Sequence, residues 1–189
     1  YFPVEDPSKP RTESGYLQLL PNFIAIRNGD EKHIEIVAHG NEHVLGARFA
    51  DANYFVREDI KHPLEHYRTG LNTLIFQTKL GSMLEKSERI QKLAPKVGEM
   101  LQYNKEALQN ISRAAFLSKA DLATQMVTEM TSLQGIIGRE YALRGGEKKD
   151  VALAIGEQYQ LLPKTEVGLA VAIADRIDSL VGLFGAGVI

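Results

Sequence analysis

The sequence predicts a mainly α protein: an all-helical domain preceded by a partial α/β segment. Three observations predict it. The first stretch reads as short strands and turns, with Pro, Asn and Gly around β-branched and aromatic runs. From about Asn41 the apolar period becomes 3.6. Beyond residue 60 no strand signal occurs, so the α/β segment is assigned to 1–60 and the helical domain to 61–189.

Phe23-Ile24-Ala25-Ile26 is a strand candidate, entered through Pro21-Asn22 and closed by Asn28-Gly29-Asp30. Residues 5–15, with Pro7, Pro10 and Gly15, read as the loop joining it to an earlier strand. Leu45, Phe49, Ala52 and Val56 predict a one-faced helix that His62-Pro63 ends, since a residue before proline is pushed out of the helical region. A second helix is predicted over 64–84. A third covers 85–100, with Pro95 as a possible kink. Leu108, Ile111, Ala115, Leu122, Met126 and Met130 predict one long helix, broken at Leu133-Gln134-Gly135. Gly145-Gly146 marks a loop, and helices resume over 150–159 and 166–184.

With 189 residues, 44% of them hydrophobic and 24% charged, the chain has the balance of an ordinary soluble globular protein. It contains no apolar run long enough to span a bilayer and no secretory leader pattern, and it starts Tyr1-Phe2-Pro3-Val4, which reads as a piece of a longer polypeptide. The absence of cysteine excludes disulfides, a thiolate nucleophile and sulfur-based zinc sites, and suits a cytoplasmic location. Residues 1–66 carry seven Lys/Arg against eleven Asp/Glu, and residues 67–189 carry fifteen against thirteen. A nucleic-acid surface must therefore be a local patch.

Two charges interrupt apolar stripes. Lys119 falls in the middle of the Leu108–Met126 stripe, and Asp178 falls among Val167, Ala170, Ala174, Ile177 and Val181. Either these stripes are partly exposed and the lysine snorkels, or Lys119 and Asp178 form a structural pair inside the helical domain. His39/His43 and His62/His66 share the i, i+4 spacing of zinc ligands but have no third ligand, so turn or surface histidines are expected. Gly135-Ile136-Ile137-Gly138 matches a KH loop only by letter and is read as a helix bend. Gly185-Ala186-Gly187 is too short for a dinucleotide fingerprint, and Ser82, Ser87 and Ser118 have no local histidine base. No catalytic residue and no metal site is assigned.

Leu20-Pro21-Asn22-Phe23-Ile24, Gly40-Asn41-Glu42, Arg48-Phe49-Ala50-Asp51-Ala52, Phe76-Gln77, Lys79-Leu80-Gly81 and Lys86-Ser87-Glu88-Arg89-Ile90 resemble blocks of the bacterial glycyl-tRNA synthetase β-subunit family. So do Leu117-Ser118-Lys119-Ala120-Asp121-Leu122, Leu133-Gln134-Gly135 and Ala172-Ile173-Ala174-Asp175-Arg176-Ile177-Asp178. They arrive in family order and cover nearly the whole chain. The resemblance implies the end of a B3/B4-like domain followed by an HD-like helical domain. It further implies a subunit that positions the acceptor end of tRNA(Gly), while ATP and Mg are used at the α subunit, its hetero-oligomeric partner. No cofactor is expected in this part. HD hydrolases use an adjacent His-Asp pair, which this sequence lacks, and all five histidines lie at or before residue 66. The Asp175/Asp178 helix resembles the one that bears the last Asp ligand of HD domains, and the resemblance then implies that Lys119 neutralises the carboxylate in place of a metal.

Lys79, Lys86, Arg89 and Lys92 form a basic cluster that is either a solvated face or, given the resemblance, an RNA contact. Arg48, Lys79, Lys86, Arg89 and Arg139 are the RNA-binding candidates. The competing functions are an HD-type metal phosphohydrolase and a scaffold for the α subunit that does not touch RNA.

Overall fold

A computed structural model describes residues 1–11 and 17–188. Among these it contains seven α-helices and two small two-stranded sheets, so the mainly α class holds. The chain divides into two compact units, Tyr1–Asn53 and Tyr54–Ile189.

In the first unit β1 (Phe2–Asp6) pairs antiparallel with β2 (Gln18–Ile24), Phe2 opposite Ile24 and Asp6 opposite Gln18. Register shifts between Pro3 and Glu5, as fits a proline that donates no ladder bond. The strand expected at 23–26 therefore lies further upstream, because Ala25 and Ile26 run past the β1 partners. Part of the expected 5–15 loop, residues 12–16, lies outside the described residues. Helix α1 (Ile34–Asp59) starts before Asn41 and runs through Gly40 and Gly46. No described residue from Tyr1 to Asn53 is buried.

The second unit holds the core. Leu71, Ile90, Ile111, Leu117, Val151, Ile155 and Val171 are fully buried. Four helices enclose them: α2 (Met83–Met100), α3 (Lys105–Leu117), α6 (Lys149–Glu157) and α7 (Glu166–Gly185). Short α4 (Gln125–Glu129) and α5 (Ile136–Arg144) complete the helical set. Helix starts are set by local chemistry. Ser82 and Glu85 form a capping box at α2, Asn104 caps α3 through Ala107 N–H, and Thr165 caps α7 through Gly168 N–H.

Two expectations fail here. The helix expected over 64–84 is a 3-10 segment, Leu64–Thr73, followed by a hairpin of β3 (Ile75–Gln77) and β4 (Gly81–Ser82). The hairpin turns because Leu80 N–H donates to Gln77 O and Gly81 takes φ +82°, a conformation in which glycine has no steric cost. The long helix expected over 108–130 ends at Leu117. Ser118 Oγ donates to Ala115 O at 2.9 Å and Thr124 Oγ1 donates to Asp121 O at 2.7 Å, so side chains compete for the carbonyls a continuing helix would use.

Candidate functional site, a buried cluster of cations and carboxylates

Spacing on two helices builds the site. Asp175 and Asp178, i and i+3 on α7, share a face, and so do Lys86 and Arg89 on α2. Lys119 comes from the bend after α3, as the residue preceding the 3-10 segment Ala120–Ala123. Lys86 and Lys119 are each only 3% exposed. Lys86 Nζ donates to Asp178 Oδ2 at 3.0 Å and to Ser179 Oγ at 2.8 Å, and lies 2.9 Å from Asp175 Oδ1, a contact ionic in character and not aligned as a hydrogen bond. Lys119 Nζ donates to Asp175 Oδ2 at 2.7 Å. Arg89 grips Asp178 from the outer side, Nε to Oδ1 at 2.5 Å and Nη2 to Oδ2 at 3.3 Å, and its Nη1 holds Leu80 O at 3.1 Å. Aromatic faces complete the shell, Phe76 lying 4.3 Å from Lys86 Nζ and Tyr159 4.3 Å from Lys119 Nζ.

Three cations thus meet two carboxylates, and a third carboxylate, Asp121, sits nearby. Its Oδ2 accepts the Gly135 N–H at 2.5 Å, at a glycine whose φ of +75° L side chains rarely adopt. Burial pushes the Asp121 carboxyl up to about 6, against the opposing pull of Gly135 N–H and Lys119. Burial alone would raise Asp175 too, but the Lys119 and Lys86 ammoniums outweigh it and hold that carboxyl below its usual range. Burial lowers the Lys119 ammonium, with Asp175 opposing and Lys86 adding repulsion. The Tyr159 hydroxyl is raised well above its usual value by burial and then by Asp121 and Asp175. Chemically the cluster is self-neutralising. Both α7 carboxylates already have charged partners from the chain itself.

These contacts revise the sequence reading. The expected Lys119–Asp178 pair has exchanged partners: Lys119 binds Asp175, and Asp178 is held by Lys86 and Arg89. Helical phasing puts Lys119 on a continuous helix, whereas α3 ends before it. Lys86 is removed as a candidate RNA contact, because its ammonium is buried in the cluster. Arg89 is partly exposed but bound to Asp178, and exposed Lys79 donates to Ala186 O at 2.9 Å. Lys79 and Arg89 therefore clamp the β3–β4 hairpin to α7 and α2. Arg139 has only 12% of its side chain exposed and contacts Glu140. Arg48 is exposed in the first unit. His62 and His66 stack with centroids 4.2 Å apart at an exposed turn. Gly135 ends a bend and starts α5, as the helix-bend reading expected.

Sequence reasoning missed Asp59. It is 1% exposed, accepts Gln125 N–H and Met126 N–H at the start of α4 at 2.9 and 3.0 Å, and accepts Tyr141 Oη–H at 3.1 Å. No local signal could reveal a helix cap 66 residues away in the chain.

Fold and site define a mainly helical body closed around an ion-pair core, preceded by a hairpin-and-helix segment. Comparison with known proteins gives the lineage. The family profile described as glycyl-tRNA synthetase beta subunit matches residues 1–189. The glycine–tRNA ligase beta subunits of Trichodesmium erythraeum (strain IMS101) and Clostridioides difficile (strain 630) are each 47% identical over the whole chain. That of Pseudomonas aeruginosa (strain LESB58) is 46% identical over 91% of it. The chain belongs to the glycyl-tRNA synthetase beta subunit family. It spans about a quarter of those relatives, 27%, 27% and 26% of their lengths. Among the described residues no helix is long and apolar enough to cross a membrane.

Proposed function

We propose that this chain is a tRNA-handling part of a glycine–tRNA ligase beta subunit, non-catalytic by itself. In this reading it holds tRNA(Gly) by its acceptor end while glycylation, with ATP and Mg, proceeds on an α subunit in a cytoplasmic hetero-oligomer. Residues 1–60 are read as the end of a B3/B4-like domain and 61–189 as an HD-like domain. The observation that carries the non-catalytic reading is that Lys86, Arg89 and Lys119 engage both α7 carboxylates, the groups a hydrolytic metal would require. Tight stoichiometric manganese or zinc at Asp175 or Asp178 would overturn it.

With Lys86 interior, the RNA contact shifts along α2 to Lys92 and Lys96. Both are exposed, one helical turn apart, and neither has an ion pair among the described residues. Arg48 and Lys79 remain secondary candidates, and Arg139 is the least accessible. Cations fixed on a rigid helix can engage phosphates and 2′-hydroxyls across the shallow RNA minor groove. The test is filter binding of tRNA(Gly) to the full-length β subunit, with and without α, across a salt series. Lys92→Glu with Lys96→Glu should weaken binding and flatten the log–log salt slope by about 0.7 to 0.9 for each phosphate no longer neutralised. Unchanged affinity and slope would refute this RNA face. Binding that depends wholly on α and ignores these residues would favour a scaffold.

A further inference from the structure

Ile177, Leu180, Val181 and Phe184 lie at i, i+3, i+4 and i+7 on the second half of α7, followed by Val188. All are exposed, Val181 at 68% and Phe184 at 59%. Another face of the same helix enters the core through Val167, Ala170, Val171, Ala174 and Asp178. Arg176 neighbours Leu180 at i, i+4 and donates to Gln160 O at 2.5 Å. Apart from buried Asp178, no charged residue occurs from Ile177 to Val188.

Single exposed apolar side chains are ordinary, but a continuous stripe on a helix that is apolar nearly all round marks a covered surface. Nucleic acid does not fit it, since phosphate contact needs cations. We propose that the stripe is covered by an amphipathic helix of the same polypeptide, from the part of the family's length outside these 189 residues. Two observations favour this occupant over a separate chain. The relatives carry nearly three quarters of their length beyond the aligned stretch, 27% being matched, so a chain of their length holds material for the cover. From Ile177 to Val188 the stripe carries no charge except buried Asp178, and the cations at its margin, Arg176 and Lys79, are engaged by the Gln160 and Ala186 carbonyls, unlike the free polar margin of a dissociable interface. A tethered helix gains effective concentration that a free partner lacks.

The 189 residues contain no cysteine, so Val181→Cys or Phe184→Cys places a thiol at a defined point of the stripe. Either variant would be made in the full-length β subunit and labelled with a maleimide, site by site, by peptide mass. Lys92→Cys on exposed α2 surface serves as the reference. In the isolated full-length subunit, residue 181 should react slower than residue 92 by a factor on the order of ten or more, at every protein concentration. Equal rates would overturn the proposal. Slowing only after α is added would assign the stripe to the other subunit and overturn it, and slowing only with self-association would do so in favour of a second copy. If Val181→Cys impairs folding, Phe184→Cys gives the same readout. No RNA enters this assay, so its outcome is independent of the RNA reading.

Discussion

Lys119→Met probes the ion-pair core most directly. Met preserves much of the lysine stem and can lie against the Tyr159 ring, so the packing loss is small. The change removes the 2.7 Å ion pair with Asp175. Removing one partner of a buried pair usually costs about 3–5 kcal/mol, because the other charge is stranded. Asp175 is not wholly stranded here, since Lys86 Nζ remains 2.9 Å from Oδ1, and the repulsion between Lys86 and Lys119 is relieved. We therefore expect a loss of about 2–3 kcal/mol at pH 7. For a chain of this size that lowers Tm by about 4–12 °C. Urea unfolding followed by far-UV circular dichroism measures it. The double variant Lys119→Met, Asp175→Leu removes both charges and leaves Asp178 with Lys86 and Arg89, so it should recover at least about 1.5 kcal/mol relative to the sum of the two single losses. Asp175 has a depressed folded pKa, so its stabilisation is present above the unfolded value of 3.8 and is lost as pH falls through the lower folded value. With Lys119 gone that carboxyl rises towards normal, and the acid loss becomes shallower. A single-variant loss under about 1 kcal/mol, with additive double-variant energetics, would refute the assignment of Lys119 as a paired interior cation.

Asp121 has the opposite sign. Its folded pKa of about 6 exceeds the ordinary 3.8, so the folded chain holds the proton longer and stability falls as pH rises between about 4 and 6, by about 3 kcal/mol over the roughly two-unit gap. Asp121→Asn should flatten that limb, which urea midpoints at pH 4.5 and 7.5 would read. Asp59→Ala strands the Gln125 and Met126 N–H groups and the Tyr141 hydroxyl, and should cost about 2–4 kcal/mol in the same unfolding assay. It should also bring the Tyr141 hydroxyl, now raised first by burial and then by Asp59, back towards its normal titration in an ultraviolet pH scan. Gly138→Ala puts a Cβ 2.8 Å from Ile155 Cγ2 and 3.0 Å from Asp121 Cγ, so thermal unfolding should show a loss of about 1–3 kcal/mol from overpacking.

The helices that repeat their apolar period and carry caps were readable in sequence. α2, α6 and α7 fall within a few residues of expectation, and Gly135 and Gly145 end their segments where expected. The misreadings share a cause. Leu64–Ser82 is apolar enough to mimic a helix, but its fold is decided by a Gly81 turn, by Arg89 reaching Leu80 O, and by Lys79 reaching Ala186 O, a contact across 107 residues that no local window contains. The break at Ser118 depends on side-chain hydroxyls competing for backbone carbonyls, which a period count cannot see. The burial of the basic cluster is hidden from the sequence for a related reason. Lys86 and Arg89 look like a solvated face when set against Glu85 and Glu88, yet their true partners lie 89 and 92 residues away on α7.

The anomaly itself was legible even though its partners were not. A charge inside an apolar stripe must find a counter-charge or stay near water, because leaving it alone in the interior costs several kcal/mol. That constraint singles out Lys119 and Asp178 and leaves two outcomes, a snorkelling lysine or an interior pair, and the choice among partners depends on angles that sequence phasing resolves poorly once a helix ends. Two α7 carboxylates one turn apart can be satisfied only by cations arriving from different directions. Lys86 from α2 bridges both, Lys119 closes on Asp175 from the bend, and Arg89 closes on Asp178 from the outside. Each cation reaches its carboxylate only when α2, α7 and the bend after α3 hold one mutual orientation. An apolar core of equal volume could tolerate a slipped helix. This cluster could not, because a slip would bury at least one charge without a partner.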